Sequence, residues 1–280
     1  MSVKLGSVAP VGFDDFASAE WLGIFRSLGC STVQVYRNAK ANVTIEQMKD
    51  YIAAGEMPCD SIHGVFGEQF DPSSPDETAR ITAVDTFKKE GDIALALGGP
   101  LVVVHGATIR RDGISTSEHD LRISQLGKSI TELGQHGRSM GVSYTFENLP
   151  GYHAICSDVA ELTALLDKTT APNTGMCFDT GHANMVGDAP TMLTQGNSHI
   201  KYIHFSDNSG QADEHLMPTQ GTLNIDATAE AIHKIGYDGT VMLEIFPQLD
   251  QLQQYVDSDL PARFERFLAI ANGLAVSSDH

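Results

Sequence analysis

Eight short runs rich in apolar and β-branched residues recur along the chain, each followed by a longer stretch with helical periodicity, and no linker rich in Pro, Gly or Ser divides them. The runs cover residues 3–8, 32–36, 60–63, 101–105, 143–147, 175–179, 200–205 and 240–246. Several are nearly all apolar, as strands covered by helices on both faces should be. Helical patterns fall near residues 17–29, 44–55, 76–98, 118–140, 157–168, 188–196, 226–236 and 250–273, with Thr44, Ser157 and Asp226 placed as N-caps. This spacing predicts an α/β fold, a closed (β/α)8 TIM barrel occupying residues 1–280 as one domain. A doubly wound sheet of this length would have fewer strands. No Gly-x-Gly-x-x-Gly or P-loop pattern occurs, and Gly98-Gly99-Pro100 precedes a strand and reads as a helix exit, so no nucleotide cofactor is expected.

What ends the strands carries the chemical information. Runs three to eight meet His63, His105, Glu147, Asp179, His204 and Glu244 in turn. In a (β/α)8 barrel these ends converge on one face, where such folds place their active sites. A lone His there is more often a hydrogen-bonded core residue than a ligand, and a lone carboxylate more often a cap or an ion-pair partner. Three converging carboxylates, however, repel one another and raise each other's pKa unless a cation neutralises them. The set therefore points to a divalent metal. Asp179-Thr180-Gly181-His182 aims a second imidazole toward the same mouth, and the stretch 206–221, with little helix or strand signal, carries Asp213 and His215. Loops of that length are usually functional or disordered. Phe13, Phe66, Tyr152 and Phe246 are candidates for an apolar wall, or simply packing.

Charge narrows the partner. With 36 acidic and 18 basic side chains the formal charge is −18, which repels polyanions and makes nucleic acid an unexpected ligand. The loops after His63 and His204 hold Glu68, Asp71, Asp76, Asp207, Asp213 and Glu214 without a basic residue. Only Arg110-Arg111, after His105, is locally cationic. It serves either an anionic group on a small substrate or a surface pair with Asp112. Cys30, Cys59, Cys156 and Cys177 lack a Cys-x-x-Cys spacing and read as reduced thiols of a cytoplasmic protein. No signal-peptide pattern and no apolar run of about 18 residues is present, so neither secretion nor a membrane span is expected.

The quoted segments resemble the xylose isomerase-like TIM-barrel superfamily of sugar (and sugar phosphate) isomerases and epimerases, inosose dehydratase-type lyases and endonuclease IV. The resemblance rests on Glu147-Asn148-Leu149, Phe178-Asp179-Thr180-Gly181-His182, Ile203-His204-Phe205-Ser206-Asp207-Asn208, Asp213-Glu214-His215-Leu216-Met217-Pro218 and Leu243-Glu244. It implies a metal held by Glu147, Asp179, His204 and Glu244, an oxygen-rich set suited to Mn²⁺, Mg²⁺ or Co²⁺, with Zn²⁺ also compatible. It also implies substrate contacts from His182, His63, His105 and His215. The last three, with Asp213, stand where endonuclease IV-like members carry further ligands.

For an isomerase or epimerase of a small carbohydrate, the metal would stabilise an enediolate while Glu147 and Glu244 remove and return the proton. A keto-sugar or inosose dehydratase would share that first step and use His182 or His215 as proton donor. A zinc phosphodiesterase is third, opposed by the acidic mouth, and a non-catalytic scaffold leaves the converging ligands without a purpose. Relatives often read Pro-Gly-x-Gly-x-Ile-Asp after the loop His. This chain reads Pro218-Thr219-Gln220-Gly221-Thr222-Leu223-Asn224-Ile225-Asp226, which predicts a different loop path and a less secure role for His215. Homo-oligomerisation would use helices or loops. The apolar final helix, with Phe264, Phe267, Leu268 and Ile270, either covers the barrel or docks a partner.

Overall fold

The computed structural model describes residues 2–13 and 19–275. Eight parallel strands close in chain order into a barrel: β1 (Lys4–Val11), β2 (Cys30–Arg37), β3 (Cys59–His63), β4 (Leu101–Val104), β5 (Ser143–Glu147), β6 (Thr174–Asp179), β7 (Ile200–Phe205) and β8 (Thr240–Leu243), with β8 pairing back onto β1. Helices α1 (Ala19–Ser27), α2 (Ile45–Gly55), α3 (Glu77–Leu97), α4 (Thr116–Met140), α5 (Val159–Thr169), α6 (Thr180–Val186), α7 (Ala189–Gln195), α8 (Ile225–Lys234), α9 (Leu249–Val256) and α10 (Leu260–Ala271) surround it. The fold is the predicted (β/α)8 TIM barrel. Among the described residues no helix is long and apolar enough to cross a membrane, and all four cysteines are buried free thiols.

Strand register places the chemistry. Tyr36 pairs with His63, Glu147 with Cys177, and Asp179 with His204. Because side chains alternate along a strand, each of these faces inward while its neighbours Ile62, Phe146, Phe178 and Phe205 pack outward under the helices. One layer below, Gln34 Nε2 donates to Ser61 Oγ at 3.1 Å. β4 and β8 end earlier than the apolar runs suggested, so His105 and Glu244 stand just beyond strand ends.

Helix boundaries differ from expectation where side-chain chemistry decides them. Thr44 caps α2 in a full capping box, and Gly98 closes α3 in the left-handed conformation, both as read. The N-cap of α5 is Asp158, which accepts from the amides of Ala160 and Glu161; Ser157 instead accepts from Arg111 Nη2 and donates to the His153 carbonyl. Asn224, not Asp226, caps α8, and Asp226 pairs with Arg266. The single helix expected over 250–273 is two, separated near residues 257–259, because Pro261 fits a first helical turn but not an interior. Positions 17 and 18 of the first expected helix lie outside the described residues. Helix α10 covers the barrel: Phe264 and Phe267 are buried, and Phe267 stacks on Phe205 with ring centres 4.7 Å apart.

Candidate metal centre

Glu147 at the end of β5 is the hub of the mouth. Its Oε1 lies 3.0 Å from His204 Nδ1 and 3.6 Å from His182 Nδ1, and its Oε2 lies 3.1 Å from His105 Nε2 and 3.4 Å from His63 Nε2. His204 Nδ1 is equally close, at 3.0 Å, to Glu244 Oε2, with Asp179 Oδ2 at 3.8 Å. Glu147, Asp179, His204 and Glu244 are all buried and offer ligand atoms within 4.8 Å of one another; His63, His105 and Glu147 make a second such group. Asn148 locks β5 to β6, accepting from the Asp179 amide at 2.7 Å and donating to the Asp179 carbonyl at 2.9 Å.

Despite this crowding, Glu147 Oε2, Asp179 Oδ2, Glu244 Oε2 and His204 Nε2 are buried without a hydrogen bond. Glu147 Oε2 and Glu244 Oε2 approach imidazole nitrogens at 3.0–3.4 Å without the alignment that a hydrogen bond requires. Buried oxygens of that kind are costly unless a cation satisfies them. The donor set of three carboxylates and one imidazole fits a divalent ion.

The charges are strongly coupled. Burial acts to raise the Glu147 carboxyl, but the imidazoles of His204 and His105 hold it well below the usual range. Glu244 is lowered in the same way, chiefly by His204 working against burial. Asp179 goes the other way: burial, reinforced by the carboxylates of Glu244 and Glu147, pushes it up to about 8 against the pull of His182. Burial disfavours the His204 imidazolium, yet the Cys177 sulfur and the carboxylates of Glu244 and Glu147 lift its pKa well above normal. Protons on Asp179 and His204 thus partly neutralise the cluster where an ion would.

The loop 206–223 brings its two predicted residues to this mouth. His215 Nδ1 lies 3.0 Å from the Glu244 carbonyl, and Asp213 Oδ2 lies 3.3 Å from His182 Nε2 and 3.5 Å from His215 Nε2. Burial opposes both imidazoliums, but Asp179 and Asp213 raise His182 to about 10, and Asp213 and Glu244 raise His215 to about 9. Thr219 has φ +91°. A β-branched residue is strained there. Thr219→Gly is expected to stabilise the protein by about 1 kcal/mol, read as a higher urea midpoint; a lower midpoint would refute the strain.

Phe13, Phe66 and Phe246 line a cavity beside His63 and His215, whereas Tyr152 lies elsewhere on the rim, 4.8 Å below the Arg110 guanidinium. The Arg110 backbone bridges to His153, and Arg111 bonds Ser157 rather than Asp112 among the described residues. Sequence reading missed Tyr36, stacked on His63 at 4.2 Å, and His153, whose Nδ1 is buried without a partner. Burial, then the imidazoles of His105 and His182, lower His153 from 6.5 to about 4. The unfolded chain therefore binds the extra proton between those values, so stability is intact above about 6.5 and is lost as pH falls toward about 4. His153→Asn is expected to remove about 1–2 kcal/mol of that loss, after allowance for the ring's partial exposure. Parallel urea titrations of both proteins at pH 7 and pH 4.5 check it, and equal losses would refute it.

A family model described as xylose isomerase-like TIM barrel matches residues 22–258. Inosose dehydratase of Lacticaseibacillus casei is 27% identical over 184 residues, covering 56% of this chain and 61% of that protein. The chain spans 51–63% of the length of the first curated relatives it matches. Among solved structures, 3-keto-D-glucoside 4-epimerase from E. coli superposes with TM-score 0.75 at 19% identity, covering 95% of this chain and 99% of that one. L-ribulose 3-epimerase gives 0.74 at 18%, covering 97% and 96%. At these identities the solved structures share the fold. With the family match extending across most of the barrel, the chain belongs to the xylose isomerase-like TIM-barrel family.

Proposed function

We propose that this protein is a metal-dependent isomerase or epimerase of a small carbohydrate, acting at a carbon beside a carbonyl. The observation that carries the reading is the buried group Glu147, Asp179, His204 and Glu244, whose carboxylates each keep an oxygen without a hydrogen bond. Those four residues would hold Mn²⁺, Mg²⁺, Co²⁺ or Zn²⁺, and a bound ion would supply Lewis-acid polarisation of the carbonyl and its neighbouring hydroxyl. Glu147 and Glu244 approach His204 Nδ1 from two different strand ends, and a substrate carbon placed between them would have a carboxylate on each side. One, ionised, removes the proton, and the other, after taking a proton from solvent, returns one to the opposite face; their lowered pKa values favour the accepting form. His63 and His105 steady Glu147 through its second oxygen, and His182 and His215, cationic beside Asp213, meet the substrate oxygens.

The similarity to an inosose dehydratase, together with two imidazoliums able to protonate a departing hydroxyl, supports a lyase as the second reading. The acidic surroundings disfavour a phosphodiester substrate, and buried free thiols fit a reducing compartment.

Two measurements test the metal and the chemistry together. Chelator-treated protein is expected to gain about 2.7 kcal/mol in stability with Mn²⁺ at about 100 times its Kd. The affinity should rise with pH through about 8, because Asp179 and His204 must shed protons to bind. Deuterium from solvent should then enter a keto-sugar substrate at the carbon next to the carbonyl, and stop on chelation. No stabilisation by any divalent ion would sink the metal, and exchange indifferent to chelator would sink its part in the reaction.

A further inference from the structure

The cavity beside the centre has a volume of about 470 Å³ and is walled by Tyr36, Val65, Phe66, Phe70 and Phe246, with His63 and His215 at its inner edge. Glu147, Asp179 and Glu244 do not line it. Reacting carbons held over those carboxylates would sit at the edge formed by His63 and His215, which lie 3.4 Å from Glu147 and 3.0 Å from the Glu244 carbonyl, and the rest of the cavity would receive what they carry. Its size is within the range of about 300–1,000 Å³ found for pockets that enclose drug-sized ligands.

The wall selects what enters. Tyr36 and Phe246 meet edge to face at 5.6 Å, Phe66 stacks on His105 at 4.9 Å, and His215 meets Phe246 at 5.7 Å, so the rings run without a break from the cavity to the carboxylates. Phe66 is 49% exposed, a large apolar surface left open beside a candidate site. Of the polar side chains that also line it, Arg37 pairs with Glu90 and Asn38 bonds the Gly12 carbonyl and the Lys40 amide, so a hydroxylated chain would meet Gln69, Lys40 and the two imidazoles against a mostly apolar wall. Nor is the cavity built for phosphate: Arg37 is ion-paired with the buried Glu90, which leaves Lys40 as the lining cation without an ion pair among the described residues. Phosphate recognition ordinarily uses an arginine fork or several convergent donors.

We infer that this cavity is the subsite for a neutral aromatic or apolar aglycone, so that the substrate class is a glycoside rather than a free sugar or a sugar phosphate. The inference rests on the reaction proposed above for the sugar portion. A glycosidic link closes the anomeric carbon as an acetal, which cannot open to a carbonyl. The carbonyl that the chemistry needs is then a ketone on another ring carbon, and the sugar arrives already oxidised there.

Equilibrium binding to the metal-loaded protein tests this with methyl and 4-nitrophenyl 3-keto-β-D-glucopyranosides and the 6-phosphate of the methyl compound. The aryl glycoside is expected to bind about tenfold or more tightly than the methyl one, from burial of its ring against Phe66 and Phe246. That ratio should fall toward one in Phe66→Ala and be kept in Phe66→Trp. A ratio near one in the parent protein, tighter binding of the 6-phosphate, or no measurable binding of either glycoside would overturn the inference. Deuterium exchange into the methyl compound is followed in parallel. Exchange without an aryl preference refutes only the subsite, and an aryl preference without exchange refutes only the isomerase reading.

Discussion

Glu147→Gln is expected to slow deuterium incorporation at the substrate α-carbon by at least about 10³-fold, near the upper part of the range for loss of a general acid–base group. The size follows from its position at the hub. One charge faces four imidazoles, at 3.0 Å from His204, 3.1 Å from His105, 3.4 Å from His63 and 3.6 Å from His182. An amide of the same shape removes the base and the charge that His204 and His105 answer. The variant should also lose its divalent ion, so the rate is measured at metal concentrations that restore the stability increment. Glu244→Gln should be impaired comparably, because Glu244 Oε2 lies 3.0 Å from the same His204 nitrogen. If both variants exchanged at the parent rate with metal bound, neither carboxylate would be the base. A large loss in one alone would assign a single base and favour the dehydratase.

The barrel was legible because burial on both faces writes each strand as a short apolar run, and the repeat of strand and helix leaves few other topologies. The strand-end residues were legible for a related reason: a polar residue that interrupts an apolar run at the same place in successive units lies in one ring. Where prediction failed, the deciding contact was distant or the element too short. Helix α6 has seven residues, too few for a periodic stripe, and its cap is Asp179 itself, which accepts from the His182 amide at 2.6 Å. Tyr36 looked like an ordinary strand aromatic until the register set it beside His63. His153 lay in a loop with no pattern, and only the bridge between the loops after β4 and β5 brings it under the influence of His105 and His182. The departure after Pro218 was visible, yet it did not carry His215 away from the mouth, because a different residue fixes the loop.

That residue is Asp207, and its replacement by Ala is the second large effect expected. Asp207 is fully buried, and its carboxylate accepts four backbone N–H groups, from Asn208 at 2.8 Å, Thr219 at 3.1 Å, Gly221 at 2.8 Å and Leu223 at 2.9 Å. Its own backbone exchanges two hydrogen bonds with Leu216, at 2.8 and 2.9 Å. One side chain thus folds residues 208–223 back on themselves and holds Asp213 and His215 against His182 and Glu244. Hydrogen bonds to a charged acceptor contribute about 1.5–3 kcal/mol each, and a buried donor left without one is penalised further. Asp207→Ala is therefore expected to release the loop rather than the barrel. Protease cleavage should appear within 208–223, and kcat/KM should fall by about 10²-fold while the strand core keeps its cooperative unfolding. Gly221→Ala should reproduce the phenotype with the carboxylate intact, since a Cβ there would lie 2.2 Å from the Asn208 carbonyl oxygen. Full activity with an uncleaved loop in Asp207→Ala would show that the barrel alone positions His215.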